Sequence, residues 1–408
     1  MRLYDTLSQE TQTLEFPDQT VKMYVCGVTP YDTSHLGHAR VAVVYDTLRR
    51  FLQWTGLQVR YVQNVTDIDE PLFERAQRDG VSWRELGDRQ TAYYLASLAR
   101  LNVARPEFYI KATDEIDEMI PRIARLLELG HAYTRDGAVY YRVASKPDFG
   151  AIAHQDYATM LATANEMGNH PDDPHKEDPL DFVLWQRSQP GEPAWPSPWG
   201  AGRPGWHIEC STMATHYCGP QLDIHGGGAD LIFPHHACEI AQAEPVTGVV
   251  PFVRAWMHVG LVSLGGIKMS KSLGNMVFVD QILQTHSANA LRLAILGQPY
   301  RAPYEYHAAD VDTAEAQIAR LTAALARPSP HGAPARTAGV RERFTATLQD
   351  DFDTPAAIGV LLELAGAIVQ GAADGQNPRP AQALLRELAG VLGLTMEETP
   401  PIRSPKGA

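Results

Sequence analysis

The feature that most constrains the fold is a strand–helix–strand pattern near the N-terminus. Residues 21–25 alternate between apolar and polar side chains and are rich in β-formers, and residues 26–30 have the composition of a turn. From about residue 38 to residue 55, apolar side chains recur at helical spacing, and residues 57–65 then have the pattern of a second strand. This order of elements predicts a parallel α/β sheet.

The later parts of the chain differ in pattern. Residues 82–132 are predicted to be helical with a boundary near Pro106, residues 165–180 are predicted to be a loop, and the sheet is predicted to resume at residues 206–208. The C-terminal part is predicted to be helical. Its segments are a helix from about residue 309, a Pro/Ala/Gly linker at 328–339, and helices at 352–370 and 380–393.

Composition excludes several classes of protein. The 408 residues include four cysteines, too few for a disulfide framework, and the formal net charge of −13 argues against a broad basic coat for nucleic acid. No stretch has the roughly 20 uncharged apolar residues of a membrane span, and the N-terminus lacks the apolar region of a signal peptide. We therefore expect a soluble, cytoplasmic protein that does not act at a membrane.

Residues 35–38, His-Leu-Gly-His, lie where the first strand passes into the first helix. Ligands of open parallel sheets bind at the carboxyl ends of strands, where a helix N-terminus offers free N–H groups to phosphates. Gly37 lets a flat ligand approach the backbone closely, and His35 and His38 can donate to phosphoryl oxygens. The alternative is an ordinary N-terminal turn with two surface histidines.

A second motif, Lys-Met-Ser-Lys-Ser, occupies residues 268–272. Lys268 and Lys271 flank small residues and can clamp a pyrophosphate as negative charge develops in a transition state. A solvated basic loop is the alternative for this motif taken alone. Both motifs together, in this order, predict a nucleotide site.

Two cysteines, a histidine and a glutamate form a candidate metal set, namely Cys26, Cys210, His235 and Glu239. His235 and Glu239 are four residues apart and share one face if Pro234 starts a helix. Two thiolates, an imidazole and a carboxylate suit zinc. The alternative is two unrelated buried cysteines and a histidine at a helix start. Cys218 and Cys238 are predicted to be structural thiols.

These motifs, within several longer stretches, resemble class I aminoacyl-tRNA synthetases and specifically the cysteinyl-tRNA synthetase family. The resemblance covers about residues 1–395. It is carried by residues 23–27, 35–40, 64–69, 196–200, 203–210, 223–236 and 268–275.

The resemblance implies ATP with Mg²⁺ as a substrate, L-cysteine as the amino acid, and one zinc ion, held by the four residues above, that binds the cysteine thiol. The implied catalytic residues are His35, His38, Lys268 and Lys271. The implied ATP-binding residues are His35, Gly37, His38, Gly226, Gly227, Gly228, Lys268, Met269, Ser270, Lys271 and Ser272. The implied cysteine-binding residues are Gly27, Thr29, Thr66, Trp206 and His225, with core packing as the alternative for Trp206.

The implied architecture is an α/β, Rossmann-type class I catalytic domain with an inserted connective subdomain and a C-terminal helical bundle, without an evident anticodon-binding domain. We expect a monomer. The expected boundaries are 1–110 and 200–250 for the two halves of the catalytic domain, 111–199 for the insertion, 251–308 for a stem-contact-type region with the lysine loop, 309–395 for the bundle and 396–408 for a disordered tail.

The resemblance leaves the acceptor of the cysteinyl group open. One branch of the family joins cysteine to the amine of glucosaminyl-inositol in mycothiol synthesis. Pro30 and residues 69–73 are typical of that ligase, whereas His225, Glu239 and residues 272–275 follow the tRNA enzyme. We expect transfer to the 3′ end of tRNA-Cys, with the amino sugar as the alternative acceptor. A non-catalytic regulator that binds cysteine or ATP is a lesser alternative.

Overall fold

A computed structural model describes residues 1–31, 34–269, 274–328, 332–335 and 337–396. The predicted tail at 396–408 thus lies outside the described residues apart from its first residue. The strands are β1 (Arg2–Asp5), β2 (Glu10–Thr13), β3 (Thr20–Val28), β4 (Gln58–Val65), β5 (Phe108–Lys111), β6 (Ala132–Arg135), β7 (Ala138–Tyr141), β8 (Phe182–Gln186), β9 (Arg203–Pro204), β10 (Leu222–Gly228), β11 (Val253–Val259), β12 (Val262–Leu264), β13 (Ile267–Lys268) and β14 (Tyr304–Glu305). The α-helices are α1 (Leu36–Trp54), α2 (Glu70–Asp79), α3 (Trp83–Arg100), α4 (Ile116–Glu128), α5 (Tyr157–Glu166), α6 (Trp206–Cys218), α7 (Ala237–Thr247), α8 (Val279–Ile282), α9 (Ala288–Leu296), α10 (Ala308–Leu325), α11 (Val340–Gln349), α12 (Thr354–Ala373) and α13 (Arg379–Val391).

A parallel five-stranded sheet lies at the centre, in the order β11–β10–β3–β4–β5. The predicted strand–helix–strand unit is confirmed as β3, α1 and β4. Because the chain adds β4 and β5 on one side of β3 and β10 and β11 on the other, the strand order reverses between β3 and β10. Ligands of such sheets bind outside the carboxyl ends of the strands at this reversal. The fold therefore places a binding crevice where β3 and β10 end.

Two predictions about this sheet are wrong. Phe108–Lys111 is the edge strand β5 and not part of a helix, because a four-residue strand is too short to display a periodic pattern. Residues 206–208 begin helix α6 instead of a strand. Helix α6 is buried on most of its circumference, so its sequence lacks the apolar stripe by which helices are identified.

The insertion between β5 and α6 is built on a separate antiparallel sheet, β6–β7–β8–β9. Helices α4 and α6 pack against each other and connect this sheet to the central one. A smaller sheet, β13–β12–β14, follows β11. It carries the start of the predicted lysine loop on its edge strand β13.

The C-terminal part is helical as predicted, with α11 as a helix that the sequence pattern did not indicate. Helix α12 packs on α9, α10, α11 and α13. It is the one helix in the described part of the chain that is long and apolar enough to cross a membrane. Its buried residues and its helical neighbours give it the position of a core helix in the bundle.

The buried side chain of Arg292 ties this bundle to the catalytic sheet. Its guanidinium donates to the Asp46 carboxylate of α1, to the Leu101 carbonyl at 2.9 Å and to the Leu392 carbonyl, directly after α13, at 2.7 Å. Burying a guanidinium is costly unless its donors are satisfied. The end of the bundle is thereby held to α1, whose first turn lies at the crevice.

Candidate active site

The four predicted metal ligands meet at one point next to the crevice. They come from the end of β3, from α6, and from the start of α7 with the kinked segment Ile232–His236 before it. Their donor atoms all lie within 4.8 Å of one another, and all four residues are buried. Such a set is compact enough to be drawn onto one tetrahedral ion with bonds of roughly 2.0–2.3 Å. The contact between His235 Nε2 and Glu239 Oε1, at 3.2 Å, is the predicted i to i+4 pair.

Charges within the metal cluster stabilise one another. Burial raises the pKa of Cys210, but a hydrogen bond from Cys26 and the charge of His235 outweigh it and lower the pKa to about 6. Burial lowers the pKa of His235, and the neighbouring Cys210 and Glu239 reverse this and raise it to about 10. Burial raises the pKa of Glu239, whereas His225 and His235 hold it at about 2. Burial also raises the pKa of Cys26 well above its usual value. Without a metal, Cys210 and Glu239 are therefore ionised while His235 carries a proton, and a divalent cation would displace protons from His235 and Cys26 on binding.

A second imidazole, that of His207, holds the candidate metal ligand His235 in place. His207 Nδ1 lies 2.9 Å from Nδ1 of His235, and the Trp206 ring stacks on His235 with centroids 4.5 Å apart. A hydrogen bond to the second nitrogen fixes the tautomer and the ring orientation of a ligating histidine. The sequence alone suggested no role for His207. Its position directly after Trp206, a predicted cysteine-binding residue, was a signal that could have placed it at the site.

Further histidines extend from the cluster into the protein. His236 Nε2 lies 3.3 Å from Cys26 Sγ, its Nδ1 lies 2.6 Å from His258 Nε2, and Nδ1 of His258 lies 2.7 Å from Thr6 Oγ1. Burial lowers the pKa of His236 well below its usual value and that of His258 to about 3. Sequence reasoning missed both residues. The His-His doublet pointed to His236, but His258 comes into range only through the pairing of β11 with β10.

Those histidines create a second possible ligand set around the same atoms. Cys26, His225, His236 and Glu239 also have donor atoms within 4.8 Å of one another. His225, predicted to contact cysteine, places its Nε2 at 2.9 Å from Glu239 Oε2. This arrangement makes His225 a partner of a candidate ligand.

A cavity of about 320 Å³ opens beside the cluster at the ends of β3 and β10. The sequence-predicted residues that line it are Cys26, Gly27, His35, Gly37, His38, Gly228 and Met269. His35 caps the N-terminus of α1, where its Nδ1 accepts from the His38 backbone N–H at 3.4 Å. The two imidazoles stack with centroids 3.6 Å apart. The cavity thus joins a candidate metal site at Cys26 to a helix N-terminus suited to phosphate.

Close backbone packing explains two of the glycines. A Cβ on Gly27 would lie 1.7 Å from the Asn64 carbonyl oxygen, and one on Gly226 would lie 1.7 Å from that of Met257. The parallel neighbours β4 and β11 therefore exclude any side chain at these two positions. Gly228 lines the cavity, whereas Gly226 and Gly227 are not among its lining residues in the described part of the chain.

The remaining predicted cysteine-binding residues surround the ends of β3 and β4. Asn64 Oδ1 accepts from the Gly27 N–H at 2.8 Å, and Asn64 Nδ2 donates to Thr66 Oγ1 at 3.0 Å. Thr29 Oγ1 donates to Asp69 Oδ2 at 3.2 Å. Asn64 had no predicted role, and it holds two of the predicted residues in a fixed relation.

The lysine motif is described only in part. The backbone of Lys268 belongs to β13, and Met269 is buried against the cavity. The side chain of Lys268 and the predicted residues Ser270, Lys271 and Ser272 lie outside the described residues.

Comparison with known proteins identifies two family matches in the chain. Residues 12–316 match the tRNA synthetases class I (C) catalytic domain, and residues 343–397 match the DALR domain. The first match alone spans more than half of the chain. It includes the central sheet, the insertion and the candidate active site.

Individual relatives fall into two groups with different names. A cysteine–tRNA ligase from Dehalococcoides mccartyi is 42% identical over 413 residues, covering 100% of this chain and 89% of the relative. An L-cysteine:1D-myo-inositol 2-amino-2-deoxy-alpha-D-glucopyranoside ligase from Parafrankia sp. is 44% identical over 398 residues, covering 96% and 88%.

Solved structures agree with this fold. Mycobacterium tuberculosis methionyl-tRNA synthetase bound by methionyl-adenylate superposes with a TM-score of 0.66 at 16% identity, covering 91% of this chain and 89% of that one. The family matches and the two groups of relatives show that this chain belongs to the cysteinyl-tRNA synthetase family of class I synthetases, which includes the cysteine:amino-sugar ligases.

Proposed function

We propose that this enzyme activates L-cysteine with ATP and transfers the cysteinyl group to tRNA-Cys in the cytoplasm. The observation that carries the proposal is the juxtaposition at Cys26, which belongs to the metal cluster and also lines the cavity at α1. A thiol-binding site and a phosphate-binding site therefore adjoin within the length of one small molecule. Relatives of both groups act on cysteine by name, which supports the amino acid.

The donor chemistry of the cluster fits zinc. Cys26, Cys210, His235 and Glu239 would hold the ion, and its chemistry when bound would be to take the substrate thiolate as a ligand, which serine cannot supply at neutral pH. An apolar pocket separates such close analogues by only about 1–3 kcal/mol. A site selective for thiolate therefore needs no proofreading step.

The chain's own residues then arrange the reaction. A substrate carboxylate oxygen attacks the α-phosphorus of ATP, the bond to pyrophosphate breaks, and cysteinyl-adenylate forms. His35 and His38 donate to phosphoryl oxygens at the N-terminus of α1, where the helix dipole also favours negative charge. Lys268 and Lys271 clamp the leaving pyrophosphate, which carries Mg²⁺. The acceptor hydroxyl of tRNA then attacks the cysteinyl carbonyl and AMP leaves.

One observation favours the amino sugar as a second candidate acceptor. Residues 111–199, the insertion that packs against α6 and α7, contain eight basic and fifteen acidic residues, a net charge of −7. Six of the eight basic side chains form ion pairs, namely Lys111, Arg125, Arg135, Arg142, Lys146 and Arg187. A surface whose cations are neutralised in this way attracts the phosphates of RNA weakly. A small cationic amine would instead be attracted to it.

Two assays test the proposal in sequence. Zinc-loaded protein should catalyse cysteine-dependent exchange of pyrophosphate into ATP, and serine should not replace cysteine. Purified protein is then offered tRNA-Cys and glucosaminyl-inositol in parallel with ATP. Charging of tRNA without amide formation supports the main proposal, and the opposite result selects the amino sugar. Absence of exchange with cysteine would point to the non-catalytic regulator.

A further inference from the structure

One carboxylate of α6, that of Glu209, is fully buried and has no hydrogen bond within the part of the chain that the structure describes. Glu209 is completely inaccessible to solvent, and neither of its side-chain oxygens has a hydrogen-bond partner among the described residues. Burial of an unpaired carboxylate costs several kcal/mol in a protein interior. Such a group is retained more readily when a donor from a ligand completes its hydrogen bonds.

Glu209 lies on the side of its helix that carries two residues of the candidate metal site. Trp206, Glu209 and Cys210 are spaced three and four residues apart, so they share one face of α6. Trp206 stacks on His235, and Cys210 is a member of the metal cluster. The unpaired carboxylate is therefore presented on the same face as the candidate thiol-binding site.

The surroundings of Glu209 favour a cation. Negative charge on Cys210, Asp69 and Asp67, the last two just after β4, acts on Glu209, and the Thr66 hydroxyl lies nearby. Asp67 already accepts from Thr113, whereas Asp69 accepts from Thr29 and from the backbone of Glu70.

Of these three carboxylates, Glu209 is the one whose acceptors are unused within the described residues. An ammonium group, with three donors and a positive charge, matches both the unused acceptors and the local negative potential.

We propose that the Glu209 carboxylate binds the α-ammonium group of the amino-acid substrate. The inference rests on the proposed activation of cysteine. In cysteine the sulfur and the amino nitrogen sit on adjacent carbon atoms, so a thiol held at Cys210 brings the ammonium to the neighbouring residue of the same helix. Glu209 and the metal cluster together then select a thiol with an adjacent ammonium. A small thiol without the ammonium group makes only the interaction with the metal cluster.

The first test needs no mutation. Binding of L-cysteine and of 3-mercaptopropionate, which lacks the amino group, is measured by calorimetry on zinc-loaded wild-type protein. We expect cysteine to bind at least about 1,000-fold more tightly, because a site built around a hydrogen-bonded group strongly rejects an analogue without it. Affinities within threefold of each other overturn the proposal.

The second test is the nearly isosteric Glu209→Gln variant. It should weaken cysteine binding about 50-fold, which is typical for loss of a charged hydrogen bond. Binding of 3-mercaptopropionate, the zinc content and the KM for ATP should not change. The matched control is Thr212→Val, one turn further along α6. It removes a buried hydroxyl that makes no hydrogen bond to any described residue, and it should leave cysteine affinity unchanged.

Several outcomes contradict the proposal. One is unchanged cysteine binding by Glu209→Gln, and another is an equal loss of affinity for both thiols, which indicates a structural role. If Glu209→Gln does not fold, the wild-type comparison decides. Cysteine-dependent exchange by the wild type is measured in parallel. Its absence refutes the proposed function, while the binding data still test the role of Glu209.

Discussion

At one end of the cavity, four buried side chains from separate elements form a metal cluster, whereas the other end consists of a helix N-terminus, two stacked imidazoles and bare glycine backbone. The metal end is supported by further histidines and by aromatic stacking, and its donors adjust one another's pKa. The nucleotide end offers the dipole of α1, and the proposed function assigns Lys268 and Lys271 to it as well. Under the proposed function, the metal end would select the amino acid, and the nucleotide end would stabilise charge that develops during reaction.

The largest effect should come from replacing a thiolate. Cys26→Ser or Cys210→Ser should remove zinc, because serine supplies no thiolate. Pyrophosphate exchange should fall by well over 100-fold, roughly the loss that is typical when a residue hydrogen-bonded to a metal ligand is removed. Metal analysis and exchange assays measure both quantities. Cys218→Ser, at the far end of α6, is the control and should keep zinc and activity. Normal exchange in a zinc-free Cys26→Ser protein would break the assignment of selection to the metal end.

A change at the nucleotide end should leave selection untouched. Lys271→Ala should slow exchange by about 100-fold through lost transition-state stabilisation, with the affinity for cysteine nearly unchanged. Steady-state exchange kinetics with varied cysteine separate the two effects. A large loss of cysteine affinity would mean that the two ends are not functionally separate.

A smaller effect should follow from removing a side chain that orients a candidate metal ligand. His207→Ala removes the partner of His235 Nδ1 and should lower zinc affinity about 10- to 100-fold. Competition with a chelator gives the affinity. Zinc affinity equal to that of the wild type would show that Trp206 stacking alone orients His235.

The smallest effect concerns pH and the inner histidines. His258 has a pKa of about 3 in the fold because it is buried, whereas the unfolded chain binds its proton near pH 6.5. Between these values the unfolded state holds the extra proton, so acidification destabilises the fold. His258→Asn should reduce this dependence by up to about 1.4 kcal/mol per pH unit. Urea unfolding of zinc-free wild type and variant at pH 6, 5 and 4 measures it, and identical slopes would contradict the buried neutral state.

The N-terminal unit and the metal ligands were predictable from sequence because each leaves a local signal. Strand β3, helix α1 and strand β4 have clear periodicity, and the ligands Cys26, Cys210, His235 and Glu239 are residue types with few other uses in combination. Their meeting in space confirms the grouping. Their roles toward zinc and cysteine stay predictions.

Features formed by tertiary packing were not predictable. The edge strand β5 is four residues long, and its place in the sheet comes from parallel pairing with β4. His258 joins the histidines through the alignment of β11 with β10, and Asn64 links Gly27 to Thr66 across two strands. Contacts of this kind depend on strand register, which no local pattern in the sequence specifies.

The Arg292 tie has a consequence for how this architecture can evolve. One guanidinium depends on a carboxylate in α1 and on the carbonyl that ends the last described helix. Recombination that exchanged the C-terminal helices as a cassette would have to restore a carbonyl at that point or leave one donor of the buried guanidinium without an acceptor. The helices and the catalytic sheet are therefore expected to be inherited together, as one unit of descent.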